Sequence, residues 1–380
     1  MRAGPTNSLV DVAGLRVGHA HRIGGGHRTG TTVVLAPGGG AVAGVDVRGA
    51  APGTRETELL DPRNLVERVH AVVLSGGSAY GLGAACGVLE RLADAGVGYP
   101  VAGGVVPIVP AAVIFDLGRG GTFRAVPDAA LGAAAYDAAM ASDAPASHAP
   151  ASHAPASHAP TSHAPASHAP ASGGTLALDG ETVQGTAPAA ASGSIGAGAG
   201  ALAGGLAGGV GTASVVLPGG TTVAALAVVN PMGSVLDPAD GTLAGARYGL
   251  PGEFTHLEPP ARHEVEAWKP DRTPSFNTTI GVVATDLTLT KAQCGKLAAV
   301  AHDGLARAIR PAHTMTDGDT VFALATCARP APAHDTLQDA LAAAADVFSR
   351  AVAHAVLAAT GREGAPAYLE VFPSATGRRS

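Results

Sequence analysis

The sequence predicts a layered α/β protein in which β-sheets are sandwiched between helices. Three observations carry that prediction. Short valine-rich runs bounded by Gly or Pro recur along the chain, as buried strands do. Amphipathic stretches at helical spacing alternate with them. The composition, 46% hydrophobic and only 14% charged over 380 residues, can fill a sizeable core and argues against global disorder.

In order, Thr31–Ala36, His70–Ser75, Ala111–Leu117, Thr212–Leu217 and Thr222–Asn230 read as buried strands. Ser78–Ala95 reads as a helix with Leu82, Cys86 and Leu89 on one face, and Asp128–Ser142 as a second, alanine-rich helix. Toward the C-terminus, Thr279–Thr285 is a buried strand. A helix follows from Thr290, with Gln293 placed for a capping box and Leu297, Val300, Ala301 and Leu305 as its apolar stripe. Thr320–Thr326 is another strand. The last long helix starts near Asp335, its N-cap candidate, and ends near Gly361, with Leu337, Leu341, Phe348, Val352 and Val356 in line. Gly252–Phe276, proline-rich and carrying the lone Trp268, reads as an exposed connection.

One segment is foreign to any packed core. From Asp143 to about Gly174 the chain repeats Ala-Ser-His-Ala-Pro, and proline at that spacing rules out both helix interior and ladder strand. The repeat reads as an extended, solvated loop. It spaces His148, His153, His158, His163 and His168 evenly, the composition of a metal-binding tract, although unstructured imidazoles lack a preformed geometry and second shell.

A formal net charge of −6 with no cationic stripe gives no reason to expect nucleic acid or a membrane surface as partner. No apolar run at the start suits a signal peptide, and no uninterrupted run of about 18 apolar residues suits a membrane span. A cytoplasmic protein is the expectation. Cys86, Cys294 and Cys327, odd in number and in apolar contexts, read as buried free thiols.

The chemistry points to Asn277-Thr-Thr-Ile280, a polar junction between a connection and an apolar strand. A threonine hydroxyl is a poor nucleophile without an adjacent base. If the chain is cut before Thr278, the freed α-amine, with a pKa of about 8, can take the hydroxyl proton near neutral pH. Alone, the string reads as a solvated strand start. The second feature is the stretch His313 to Thr320, in which Asp317 and Asp319 flank a glycine just before a strand. Two such carboxylates can converge on one point, or form a plain turn. The third is Asn230, whose amide at a strand tip can serve as an oxyanion donor or a turn residue.

Four strings together, Gly44-Val-Asp-Val-Arg-Gly49, Ser75-Gly-Gly-Ser-Ala-Tyr-Gly81, Asn277-Thr-Thr-Ile280 and Thr316-Asp-Gly-Asp-Thr320, resemble the L-aminopeptidase/D-amino-acid esterase family. That family includes β-aminopeptidases and nylon-oligomer hydrolases. The resemblance spans the chain apart from the repeat. It implies an αββα sandwich of N-terminal-nucleophile type, a single domain 1–380 that cuts itself into 1–277 and 278–380, and homo-oligomeric assembly. It also implies Thr278 as nucleophile, Asp317 and Asp319 as orienting carboxylates, Asn230 as oxyanion donor, and neither cofactor nor metal. The Asn-Thr junction is similar to that of the nylon hydrolases, so short peptides, amides and linear nylon-type oligomers are the implied substrates.

This sequence departs from those hydrolases at two points. No lysine stands in the Gly-rich run Gly193–Gly211, the only lysines being Lys269, Lys291 and Lys296, and Phe115 stands where a tyrosine is expected. Two other readings remain. Ornithine acetyltransferases also cut before a threonine but pass the acyl group to an amine, and a scaffold would never cut at all. Ser78 does not make a nucleophile elbow, because Tyr80 occupies the final glycine position of that pattern. It reads as a turn with backbone amides facing a cleft.

Overall fold

Along the strand Thr278–Thr285, Ile280, Val282 and Ala284 belong to one buried cluster and Val283 to another. Side chains of a strand alternate between faces, so this strand is covered on both sides. The same sorting divides the buried residues into three stacked cores, which define the layers. The computed structural model describes residues 1–142, 182–270 and 276–376; the His/Pro repeat lies outside them.

In chain order the sheet strands are β1 (Arg16–Gly24), β2 (His27–Leu35), β3 (Ala41–Val47), β4 (Thr54–Arg55), β5 (Arg68–Val69), β6 (Ala71–Ser75) and β7 (Ala111–Val113). They continue with β8 (Val183–Ala187), β9 (Gly209–Val216), β10 (Thr222–Asn230), β11 (Thr278–Thr285) and β12 (Thr320–Ala325). One six-stranded sheet runs β8-β1-β2-β6-β7-β4 and the other β9-β10-β11-β12-β3-β5. The main helices are α1 (Ala84–Asp94), α2 (Ala129–Ala141), α3 (Lys291–Ala308) and α4 (His334–Leu357).

Val17, Val34, Val72 and Leu74 of the first sheet meet Leu226, Val228, Ile280 and Phe322 of the second in the central core. The outer face of the first sheet packs on α1 and α2 through Ala20, Val33, Val88 and Leu131. The outer face of the second packs on α3 and α4 through Val283, Val321, Leu297 and Phe348. The arrangement is an αββα sandwich, as expected. Helix α4 is long and apolar enough to cross a membrane by composition, but 78% of its most apolar window is buried, which makes it a core helix.

The capping box at Thr290 and Gln293 forms, with Thr290 accepting from the Gln293 amide. Asp128 caps α2. Other expectations need correction. The helix Ser78–Ala95 breaks into Ser78–Gly81 and α1, and α1 buries Ala84, Ala85, Val88 and Leu92 against α2, leaving Cys86 exposed. Cys327 is half-buried, so only Cys294 is a buried thiol, its acidity suppressed by burial. The strand Ala111–Leu117 stops at Val113 because Asp116 turns inward to bind the Gly77 amide. Asp335 lies in the first turn of α4, whose N-cap is Ala333. The connection from Gly252 is anchored: Glu253 accepts from the buried Arg350 at 2.7 and 2.9 Å, Arg262–Ala267 is a short helix, and Trp268 packs edge-on to Phe372.

Candidate active site

The register of the second sheet assembles the site. In the antiparallel pair β10/β11, Asn230 lies directly opposite Thr278. Directly paired residues point to the same face. Here that is the inter-sheet face, since Leu226, Val228, Ile280 and Val282 lie in the central core. Beside β11 the parallel strand β12 pairs Thr320 with Ile280, which sets the loop Asp317–Asp319 against the start of β11. Both Asn230 and Thr278 are buried, at 0% and 3% exposure.

The Thr278 hydroxyl donates to the carbonyl oxygen of Asn277, in very close contact. It accepts the Gly318 N–H at 3.0 Å. The two carboxylates flanking that glycine bracket the junction without touching the hydroxyl. Asp319 accepts the Thr279 N–H at 2.7 Å, and His313 through both its amide, at 3.0 Å, and Nδ1, at 2.8 Å. Asp317 accepts the Met232 N–H at 3.3 Å and the Thr314 amide at 3.2 Å. Neither carboxylate thus makes the expected direct contact with Thr278; each instead binds groups around it. Burial, and then the charge of Asp319, push the Asp317 carboxyl above its ordinary range.

Asn230 has a fixed orientation. Its Oδ1 accepts the Leu202 N–H at 3.0 Å and a short bond from Arg119 Nη1. Two donors on one atom require an oxygen there, so Nδ2 faces the other way. Nδ2 donates to the Phe115 carbonyl at 3.3 Å, leaving a second hydrogen on the same nitrogen. Phe115 thus enters through its backbone, while its ring packs on that of Phe276 with centroids 5.8 Å apart.

Four residues at the site do not stand out from the sequence. Gly318 acts through a backbone amide, which has no side-chain signature. His313 was within the quoted stretch but had no assigned place; its ring also stacks edge-on to His302 at 4.9 Å. Arg119 and Arg362 come from distant loops and both donate to the Gly200 carbonyl, at 2.8 and 3.0 Å. They bring guanidinium charge to the Gly-rich run that has no lysine of its own. The turn at Gly76-Gly77-Ser78 proves structural: the Gly77 and Ser78 amides donate to Asp116 and to the Ile114 carbonyl, instead of facing a cleft.

A cleft of about 990 Å³ opens over the junction, with Arg119, Met232, Trp268, Asn277, Thr316 and Phe372 among its lining residues. Much of that wall is apolar, with few polar groups, the usual make-up of a small-molecule site.

The αββα fold with a buried threonine where a loop enters a strand suits an amide-bond hydrolase, and comparison with known proteins gives that class. The model of peptidase family S58 matches residues 7–146 and 159–367, and the chain belongs to that family. It is 44% identical over 396 residues to an uncharacterized aminopeptidase of Mycobacterium leprae, covering 99% of this chain and 97% of that protein. It is 30% identical over 320 residues to a 6-aminohexanoate-oligomer endohydrolase of a Kocuria species, covering 83% of this chain and 74% of that protein. Among solved structures, the L-aminopeptidase D-Ala-esterase/amidase of Ochrobactrum anthropi, described as a variant of the Ntn hydrolase fold, superposes with a TM-score of 0.64. It is 20% identical, with 100% of this chain and 96% of that one covered. A Burkholderia β-aminopeptidase gives 0.63 at 21% identity, covering 100% and 96%.

Proposed function

We propose that the chain is the precursor of an aminopeptidase or amidase that cuts its own Asn277–Thr278 bond and then uses Thr278 as nucleophile. The observation that carries this reading is the Thr278 hydroxyl seated against the Asn277 carbonyl with the Gly318 amide on the same oxygen. Attack of Oγ1 on the Asn277 carbonyl carbon breaks the C–N bond, and the hydroxyl proton ends on the departing Thr278 nitrogen. The ester left between Asn277 and Oγ1, whose Thr278 amine is now free, is hydrolysed by water, which restores the hydroxyl and leaves a carboxylate on Asn277. In turnover the amine takes the proton as Oγ1 attacks a substrate amide. Asn230 is suited to stabilise the charge that develops on the attacked carbonyl oxygen, while the Gly318 amide holds the attacking hydroxyl oxygen in place. Asp317 and Asp319 hold the loop and strand that carry these groups.

Cutting also opens the site, since Asn277 lines the cleft and covers the threonine in the uncut chain. The apolar wall suits short peptides, amides and linear aminohexanoate-type oligomers, the last by likeness to the Kocuria endohydrolase. We place this activity in one domain of a cytoplasmic homo-oligomer that needs no metal.

Mass spectrometry and N-terminal sequencing test the reading. The purified protein should contain residues 1–277 and 278–380 as separate chains, the second beginning Thr-Thr-Ile. Thr278→Ala should abolish both cutting and turnover. An intact chain that hydrolyses amides at full rate sinks the proposal. With a second amine present, free acid should dominate; efficient transfer to ornithine would instead indicate an acyltransferase.

A further inference from the structure

Arg119 is the least expected charge at this site. Its Nη1 bonds the Asn230 side-chain oxygen and the Gly200 carbonyl at once, and the residue lines the cleft alongside Asn277. Among the described residues no carboxylate lies within ion-pair distance of it. The nearest candidate in sequence, Asp116, gives its two oxygens to Thr29 at 2.7 Å and to the Gly77 amide at 2.6 Å. A half-buried guanidinium that bonds only neutral oxygens is costly unless its charge is used. Burial pulls it down to about 10, with Asp116 opposing and Arg362 assisting, so it remains a full positive charge at neutral pH.

We propose that Arg119 is a positioning residue that aims and polarises the Asn230 amide toward the Thr278 reaction centre. The inference rests on the reading of Asn230 as the oxyanion donor. Asn230 stands opposite Thr278 across β10/β11. A cation on the amide oxygen draws electrons from Nδ2, so its free hydrogen becomes a stronger donor as negative charge develops. It also prevents the amide from turning over, because the oxygen is held by two donors. Arg362 contributes by holding the shared Gly200 carbonyl, and the Ala201 carbonyl at 2.9 Å, which keeps the Leu202 amide in place.

The test measures precursor processing and, on the processed protein, kcat and KM for a short amide with a chromogenic leaving group. Arg119→Met should slow processing and kcat by about 10- to 100-fold, the range of one weakened oxyanion donor, with KM within about threefold. Arg119→Lys should recover part of the loss, and millimolar guanidinium ion should rescue Arg119→Met but not Asn230→Ala. On the Asn230→Ala background, Arg119→Met should cost less than about threefold more, because the two act as one unit. Asn230→Ala with wild-type rates overturns the reading of Asn230, and this inference with it. A slow Asn230→Ala beside a normal Arg119→Met overturns the inference alone. So does a loss that appears in KM, in melting temperature, or in full on the Asn230→Ala background. If Arg119→Met fails to fold, Arg119→Lys and Arg119→Gln carry the same comparison.

Discussion

Gly49 packs against the loop that presents the Gly318 amide, without touching Thr278 itself. The Asp319 carbonyl accepts the amides of Arg48 and Gly49 at 3.0 and 3.2 Å, and the Asp317 carbonyl accepts that of Ala51 at 2.9 Å. A Cβ on Gly49 would lie 2.2 Å from the Asp319 nitrogen and 2.4 Å from the Asp317 oxygen. These are backbone atoms, so the loop must shift and take the Gly318 amide away from Thr278. We expect Gly49→Ala to slow processing by tenfold or more, since about 1 Å of misplacement at a reacting centre can cost about 100-fold. Timed gels of freshly translated protein would show it; an unchanged half-life refutes the coupling. The sequence motif ending at Gly49 was legible as part of a combination, but its purpose was not. Close backbone approach between residues far apart in the chain leaves no local pattern, and the same is true of Arg119 and Gly318. Thr278 and Asn230 stand out in the sequence as polar residues at the ends of apolar strands, and Asp317 and Asp319 as paired carboxylates just before one, but the roles proposed for them come from the resemblance.

At the scale of elements, strands filled with valine were readable and those carrying Gly and His were not. β1 lacks a continuous apolar pattern because α2 lies directly on it: a Cβ on Gly18 would meet the Ala135 carbonyl at 2.1 Å, so that position cannot carry the large apolar residue that would mark a strand. Its next residue, His19, is buried in the sandwich. On α3, His302 is likewise buried, with Nε2 2.9 Å from the Asp46 carbonyl. Burial pulls His302 down to about 4, the Asp46 carbonyl opposing and His313 assisting, with Asp46 and Arg48 as the other charges nearby. Burial pulls His19 down to about 4 as well. Both lie below the value of about 6.5 in an unfolded chain. Between those values the unfolded state binds more protons, so stability falls as pH falls from about 6.5 toward 4, by roughly a few kcal/mol in total. Asp317, raised instead, works in the opposite sense at the acid end of that range. We expect the melting temperature to be flat near pH 7 and to drop through this window. The double variant His19→Gln/His302→Gln should show a shallower drop, and an identical slope would remove the two histidines from the account.

For the whole molecule, the cut proposed before Thr278 falls where it would release neither piece. The fragment 278–380 supplies β11, β12, α3 and α4, while 1–277 supplies the remaining sheet strands. β11 pairs with β10 of the other fragment from Asn230↔Thr278 to Val223↔Thr285, and β12 pairs with β3 from Thr320↔Val47 to Ala325↔Val42. The strands of the smaller fragment thus lie in the middle of the second sheet, with ladders to the larger one on both sides. Their inward residues Ile280, Val282, Phe322 and Leu324 fill the central core together with strands of the larger fragment. Separating the pieces would expose that core and two ladders of backbone groups, which nothing in water restores as well. One broken peptide bond adds only the entropy of a loop opened beside a paired strand. The processed protein should therefore elute from gel filtration as one species containing both fragments in equal amounts. It should unfold in a single transition, and the fragments should part only in denaturant. Refolding after mixing should depend on protein concentration, whereas that of the uncut Thr278→Ala precursor should not. Elution of 278–380 by itself in native buffer would show that the second sheet is not continuous across the cut.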